Sequence, residues 1–437
     1  MTVRGTFRLV LAAVVLCVVR TAPISGGQLA TGSGAATVPL TAPVPVDPRI
    51  TVGTLPNGLR YYIRANQAPR NRAELRLVVA AGSVLEDENQ RGLAHMVEHM
   101  AFNGSKNFPG QRIVSFMQAI GMRFGAHVNA HTGFDETVFQ LQIPTDNPTV
   151  VDRSFLVMED WAQNVTFDSD EIDKERGVVL EEWRLGLGPD ARMRDAQMPV
   201  LLQGSRYAQR LPIGTPEILR NFRPELLKKF YNDWYRPDLM AVIAVGDFNP
   251  TTIEQLIKTH FGPIPARLDP RPKPTYDVPG HPGTLYTVST DPEATATIVN
   301  VASTMPERDQ TTIGAYRQSL VERLFSGMLT DRFEELSHTP NPPFLAAQTS
   351  RELFIGPSEA TSLTALVTET GIERGLTAMF AEAERVKRFG FTASELDRQK
   401  ANMRLFLERA SIDEATWESD RLADEYGRNF LQKEPIP

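Results

Sequence analysis

Apolar and polar positions follow two rhythms along this chain, and the switches between them mark its elements. Arg60–Ala65 and Leu75–Ala81 read as strands, whereas Gly92–Phe102 and Arg112–Ile120 repeat at helical spacing. Thr137–Ile143 alternates as a half-buried strand does. Helices are predicted from Thr149 and from Asp168, the second opened by Asp168 and Glu171 in capping-box spacing. Met240–Val245 is wholly apolar and predicts a buried strand, followed by a helix over Pro250–Phe261. From Ile50 to about Leu268 the pattern is therefore one of alternating strands and helices.

Asp269–Gly283 holds five prolines in fifteen residues and reads as a linker. Beyond it the pattern restarts. Phe167–Arg176 (FDSDEIDKER) parallels Phe391–Lys400 (FTASELDRQK) at an offset of 224 residues. Each follows an apolar strand and an amphipathic helix: Thr137–Ile143 then Asp152–Val165, and Ser362–Val367 then Leu376–Val386. Such self-similarity predicts a duplicated domain. The expected division is a first domain over 48–268, a linker over 269–283 and a second, incomplete copy over 284–437.

The first residues change the picture of where the chain works. Arg4 and Arg8 precede an unbroken apolar run, Leu9–Val19, too short to span a bilayer and suited to an export signal over 1–26. A flexible arm rich in Gly, Ala, Thr and Pro is expected over 27–47. No second run is long enough for a membrane span, so the mature chain is expected to be periplasmic or extracellular. The single cysteine, Cys17, lies inside the signal, which excludes disulfides, thiolate ligands and a cysteine nucleophile from the mature chain. Hydrophobic residues at 41% and charged residues at 23% fit a globular protein, and a net charge of −7 with no basic stripe excludes a nucleic-acid partner.

The chemistry concentrates in Gly92–Phe102 (GLAHMVEHMAF). On a helix His95 and His99, four apart, present their imidazoles to one point, and Glu98 flanks the same face. Two neutral imidazoles suit Zn²⁺, and the neighbouring carboxylate can take a proton from water. A third ligand is needed. The helix opened by Asp168 carries Glu175 and Glu182 seven apart on one face, while Glu181 is rotated away. At the 224-residue offset these positions become Gln399 and Phe406, and the second copy has no HxxEH. His127 and His131 are also four apart, but in an extended segment they lie too far from each other to share a metal.

HxxEH followed by a downstream glutamate resembles the pitrilysin or insulysin family of zinc peptidases, closest to its bacterial exported members. Val128–Thr132 (VNAHT), Phe167–Glu182, Pro212–Glu217 (PIGTPE), Arg236–Asp247 and Leu324–Phe333 resemble it too. The resemblance implies one Zn²⁺ per chain held by His95, His99 and Glu182, with Glu98 as general base and Glu175 supporting the ligands. The interval from His99 to Glu182 is a few residues longer than usual in the family, with the extra residues placed at Met122–Gly125 and Thr145–Thr149, which leaves Glu175 a rival for the ligand role. Asn129 and Ala130 stand where the family's edge strand pairs with extended substrate, and His131 where an aromatic is usual. The implied function is a zinc-dependent endopeptidase hydrolysing extended or unfolded peptides, with water activated by zinc and Glu98. The alternative is a non-catalytic peptide-binding or assembly subunit of a processing-peptidase-like complex. Structural zinc would need a fourth protein ligand, and none is evident. The implied fold is α+β: two homologous domains, each a mostly antiparallel sheet with helices packed on one face, together half of a clamshell. A missing C-terminal half or a separate partner subunit would complete the chamber.

Overall fold

The computed structural model describes residues 38–436. The export signal expected over 1–26, and the arm before residue 38, lie outside the described residues.

Six strands build the first sheet: β1 (Ile50–Thr54), β2 (Arg60–Ala65), β3 (Arg72–Val79), β4 (Val128–Thr132), β5 (Thr137–Pro144) and β6 (Met240–Gly246). Their spatial order is β1-β2-β6-β3-β5-β4; β2 and β6 run parallel and every other pair is antiparallel. A smaller antiparallel sheet holds β7 (Thr297–Pro306), β8 (Ala346–Ile355) and β9 (Ser358–Val367) in the order β7-β9-β8. The helices α1 (Leu93–Phe102) and α2 (Arg112–Ala119) join β3 to β4. Five more lie between β5 and β6: α3 (Pro148–Gln163), α4 (Ser169–Leu185), α5 (Pro189–Leu201), α6 (Pro216–Asn221) and α7 (Pro224–Trp234). Helix α8 (Pro250–Phe261) follows β6, and α9 (Ile313–Ser337) joins β7 to β8. The chain ends on α10 (Ile372–Phe389), α11 (Ala393–Asp413) and α12 (Ser419–Gln432). Among the described residues no helix is long and apolar enough to cross a membrane.

Position in the sheet explains the strand patterns. β6 lies between β2 and β3 and is buried at every residue, hence its unbroken apolar run. β3 begins at Arg72, earlier than its apolar stretch predicts, and its alternation puts Leu75 and Leu77 on one face and Glu74 and Arg76 on the other. The first face meets α1, α3, α7 and α8 in the main core, with Trp161, Phe155 and Trp234 fully enclosed.

The opposite face corrects the expectation of helices on one side only. Helix α12 crosses it, setting Leu422, Ala423 and Tyr426 against Tyr62, Val78 and Ile243. Leu422, Val78 and Ile243, removed there from water, stabilise by roughly 1.5–3 kcal/mol each. The Arg76 guanidinium is paired there with Asp424 and donates to the Asp420 carbonyl at 3.0 Å. The chain's last helix, in the stretch assigned to the second copy, therefore closes the first sheet.

The described part of the arm expected to be flexible, residues 38–47, is held, and so is the proline-rich segment read as a linker. In the arm, Asp47 pairs with Arg64 and Arg49, and Val44 N–H donates to the Thr311 carbonyl at 2.9 Å. In the proline-rich segment, Arg271 bridges Asp87 and Asp233 at 2.8 and 3.0 Å and lies over the Trp234 ring. That segment has no regular structure but is strapped to the first domain.

The repeat seen in the sequence has a structural counterpart in strand, helix, helix order: β5, α3, α4 and then β9, α10, α11. The 224-residue offset carries Pro148 onto Ile372 and Ser169 onto Ala393, the first residues of corresponding helices.

Candidate metal centre

Helix α1 is sunk in the main core by Leu93, Met96, Val97 and Met100, which are fully buried. Its N-terminus is anchored by Glu86, a residue the sequence pattern did not single out. The buried Glu86 carboxylate accepts from Gly92 N–H at 3.0 Å and Ala94 N–H at 2.8 Å, where the helix dipole favours an anion. Burial pushes the Glu86 pKa up to about 8 against the pull of these backbone donors. Gly92 has φ 99°, and a Cβ on Gly214 would lie 2.3 Å from the Gly92 Cα. The Pro212–Glu217 motif therefore supplies close backbone packing at the start of the helix.

Helix α4 crosses α1. The Asp168 side chain caps it, accepting from Asp170 and Glu171 N–H. Arg176 ties it to α6 by donating to the Leu219 and Phe222 carbonyls at 2.9 and 2.6 Å. This crossing brings four of the predicted residues together. His99 Nε2 lies 3.2 Å from His95 Nε2 and 3.3 Å from Glu182 Oε2, and His95 Nε2 lies 3.7 Å from the same oxygen. On the far side of the His99 ring, Nδ1 meets Glu175 Oε2 at 3.0 Å. The two glutamates thus face different nitrogens: Glu182 faces the nitrogens of both rings, Glu175 the back of one. Both stretches expected to absorb the longer His99–Glu182 interval are largely non-helical turns: 122–125 lies between α2 and β4, and 145–149 runs from the end of β5 into the first turn of α3.

The donor set fits a tetrahedral cation. Zn–N bonds of about 2.0–2.1 Å place neighbouring ligand atoms about 3.3 Å apart, close to the spacings found here. Charge leads to the same conclusion. Burial pulls the His95 pKa down to about 3, leaving that ring neutral. Burial also works against a charge on His99, but hydrogen bonds to Glu175 and Glu182 outweigh it and raise its pKa to about 10. A single proton between the rings can point at one acceptor only, whereas a divalent cation satisfies all three. Among the described residues, His95, His99 and Glu182 form the one cluster of this kind.

Glu98 is buried on the same helix, and its carboxylate accepts from the Thr132 hydroxyl at 2.6 Å. Burial raises its pKa to about 7, opposed by His99 and by that hydrogen bond. Thr132 ends β4, the sheet's edge strand, which also carries Asn129 and Ala130. Asn129 and His131 are exposed, while Ala130 packs on the core. His127 Nδ1 accepts from Arg123 N–H at 3.2 Å and takes no part in the cluster.

Comparison with known proteins agrees with this geometry. Residues 61–185 match the family described as Insulinase (Peptidase family M16), and residues 221–403 match the Peptidase M16 inactive domain. The second match begins in α6 and so includes β6 and α8 of the first sheet. The chain is 35% identical to the zinc protease PQQL-like of Arabidopsis thaliana, covering 88% of this chain and 37% of that one. It superposes on the crystal structure of the first half of the periplasmic protease PqqL from Escherichia coli with a TM-score of 0.85 at 28% identity, covering 90% of this chain and 84% of that one. On the structure of the same protease described without that restriction, the TM-score is 0.83 at 27% identity, covering 91% of this chain and 44% of that one. The chain spans less than half the length of the curated relatives it matches first, 37% to 43% of them. With an HxxEH helix, a downstream glutamate in reach of both histidines and matches of this extent, the chain belongs to the insulinase family of zinc peptidases, family M16.

Proposed function

We propose that this chain is the zinc-binding, catalytic half of an exported endopeptidase that hydrolyses extended or unfolded peptides. The observation that carries this reading is the convergence of His95, His99 and Glu182 within 4.8 Å, with Glu98 beside them. His95, His99 and Glu182 would hold the metal, and Glu175, bonded to His99 Nδ1, would set that ring's tautomer so that Nε2 is the ligating atom. Zinc, when bound, supplies Lewis-acid polarisation of a carbonyl and lowers the pKa of water. Glu98 would accept the proton of the attacking water and return it to the leaving amine, a task suited to a buried carboxylate with a pKa near 7. The outer edge of β4, at Asn129 and Ala130, would take the peptide as an added strand through main-chain hydrogen bonds. That mode selects extended chains over folded ones.

Localisation and partners extend the same reading. The apolar run at Leu9–Val19 and the periplasmic PqqL relative both support export. The coverage of less than half of its relatives supports a further half, in the same polypeptide or a partner subunit, that completes a clamshell around the site. The two domains would then be homologous, the second having lost its metal site. The non-catalytic alternative predicts loss of a ligand or of the base, and all are present.

Glu98→Gln tests the assignment. The amide should leave zinc content at about one ion per chain and abolish cleavage of a quenched-fluorescent unstructured peptide, because it cannot accept the proton. Turnover within tenfold of the parent protein, or loss of the metal, would remove Glu98 from the role of base.

A further inference from the structure

Thr132 belongs to two structures at once. Its backbone ends the edge strand β4, paired with Thr137 of β5, and its hydroxyl is the one hydrogen-bond partner of the Glu98 carboxylate among the described residues, at 2.6 Å. Val128, Ala130 and Thr132 alternate onto the face that meets α1, so the hydroxyl reaches Glu98 from the strand itself. We propose that Thr132 is a positioning residue for the base: it holds one oxygen of Glu98 and so leaves the other directed at the site. This rests on the reading of Glu98 as base.

The physical argument has two parts. A buried carboxylate on a flexible side chain samples several rotamers unless something fixes it, and a hydroxyl donating to a carboxylate makes a short, strong bond. Secondly, the anchor lies on the strand whose outer edge is free to pair with an extended peptide. Main-chain pairing along β4 sets the register of the peptide, and Thr132 sets the base by the same strand. An error in one is therefore shared by the other, and the distance between base and scissile bond is conserved. Proximity of this kind is sensitive: displacement by about 1 Å can cost on the order of 100-fold in rate.

A purely structural role makes a different prediction. Valine is isosteric with threonine, is at least as favourable in a strand, and would face an apolar helix. If the hydroxyl merely fills space, Thr132→Val is neutral.

The test uses the full zinc-loaded chain with Thr132→Val and Thr132→Ser. Thr132→Val should keep zinc content and melting temperature. It should lower kcat for a quenched-fluorescent unstructured peptide about 10–100-fold, the range for removing a partner of a site residue, with KM little changed. Thr132→Ser keeps the donor and should stay within about threefold of the parent protein. A second readout does not need turnover: affinity for a peptide hydroxamate, whose hydroxyl meets the base, should fall about tenfold in Thr132→Val while affinity for the matching peptide amide stays the same. In a Glu98→Gln background the hydroxamate effect of Thr132→Val should vanish, since the two side chains act as one unit. If the parent protein binds the hydroxamate but cleaves no peptide, the catalytic reading fails while the hydroxamate arm still decides on Thr132. Equal hydroxamate affinity in Thr132→Val and the parent protein, or an undiminished effect in the Glu98→Gln background, overturns the proposal.

Discussion

The crossing of α1 with α4 and that of α9 with α11 are built alike and do opposite things. Both second helices open on a side-chain cap, Asp168 in one and Thr392 with Glu395 in the other. At the seventh residue each reaches across to its neighbour: Glu175 to His99 at 3.0 Å, Gln399 to Asp331 at 2.7 Å. One heptad later the paths part. Glu182 faces two imidazoles, whereas Phe406 is 63% exposed and faces no ligand. Charge completes the contrast. Arg332 pairs with Glu382 and Glu395 at 2.9 and 2.6 Å, Arg385 with Glu382 at 3.4 Å and Arg398 with Asp331 at 3.3 Å, so the acids of the second crossing are matched by arginines. The first gathers Glu98, Glu175 and Glu182 around two histidines, and among the described residues no arginine or lysine is paired to any of them. The proposed metal site differs from the structural staple by what it lacks: it is short of positive charge, as a site arranged for a cation would be.

This contrast can be broken most directly at the ligands. His95→Ala or His99→Ala should lower zinc affinity by well over 100-fold, beyond the 10–100-fold typical of a supporting residue. Gln399→Ala, the matching change in the second crossing, should leave affinity where it was. Chelator competition on the three variants measures both, and full zinc occupancy in either histidine variant would contradict the site.

The next effect separates the two glutamates that one helical face presents. Glu182→Gln should weaken zinc more than Glu175→Gln, which is expected to cost about 10–100-fold. The reverse order, read in the same titration, would make Glu175 the ligand and turn the observed His99 Nδ1 contact into a coordinating one.

The smallest effect per step is one of pH. His99 keeps its proton up to about pH 10 because Glu175 and Glu182 outweigh the opposing effect of burial, and zinc must expel that proton to bind. The protonated form is dominant below that pH, so affinity should rise as pH rises, by up to about tenfold per unit. Isothermal titration between pH 6 and 9 gives the slope, and a flat profile would mean that no proton is displaced.

Much of the site was legible because it is local. His95, Glu98 and His99 share a helix turn, and helical geometry alone aims the two rings at one point. Glu175 and Glu182 were visible as a pair for the same reason, two turns apart on a helix whose cap could be read. Their separate roles were not legible, because the angle at which α4 crosses α1 decides which nitrogen each carboxylate meets. Glu86 carries no periodic signal either: it lies before the helix it anchors and reaches back through space.

By itself the sequence determined many of the elements, the repeat and the residue types able to hold a divalent cation, since these follow from periodicity and short-range geometry. Only the tertiary structure decided that Thr132 reaches the Glu98 carboxylate, that α12 returns to seal the first sheet, and that residues 38–47 and the proline-rich segment are strapped to the rest of the chain. Those outcomes depend on which buried charges and apolar faces find partners on other elements, from 34 residues away for Thr132 and Glu98 to 348 for Arg76 and Asp424. Arg76 shows the reason: it lies on the face of β3 turned from the main core, and it is buried because α12 crosses that face and brings Asp424 to pair with it.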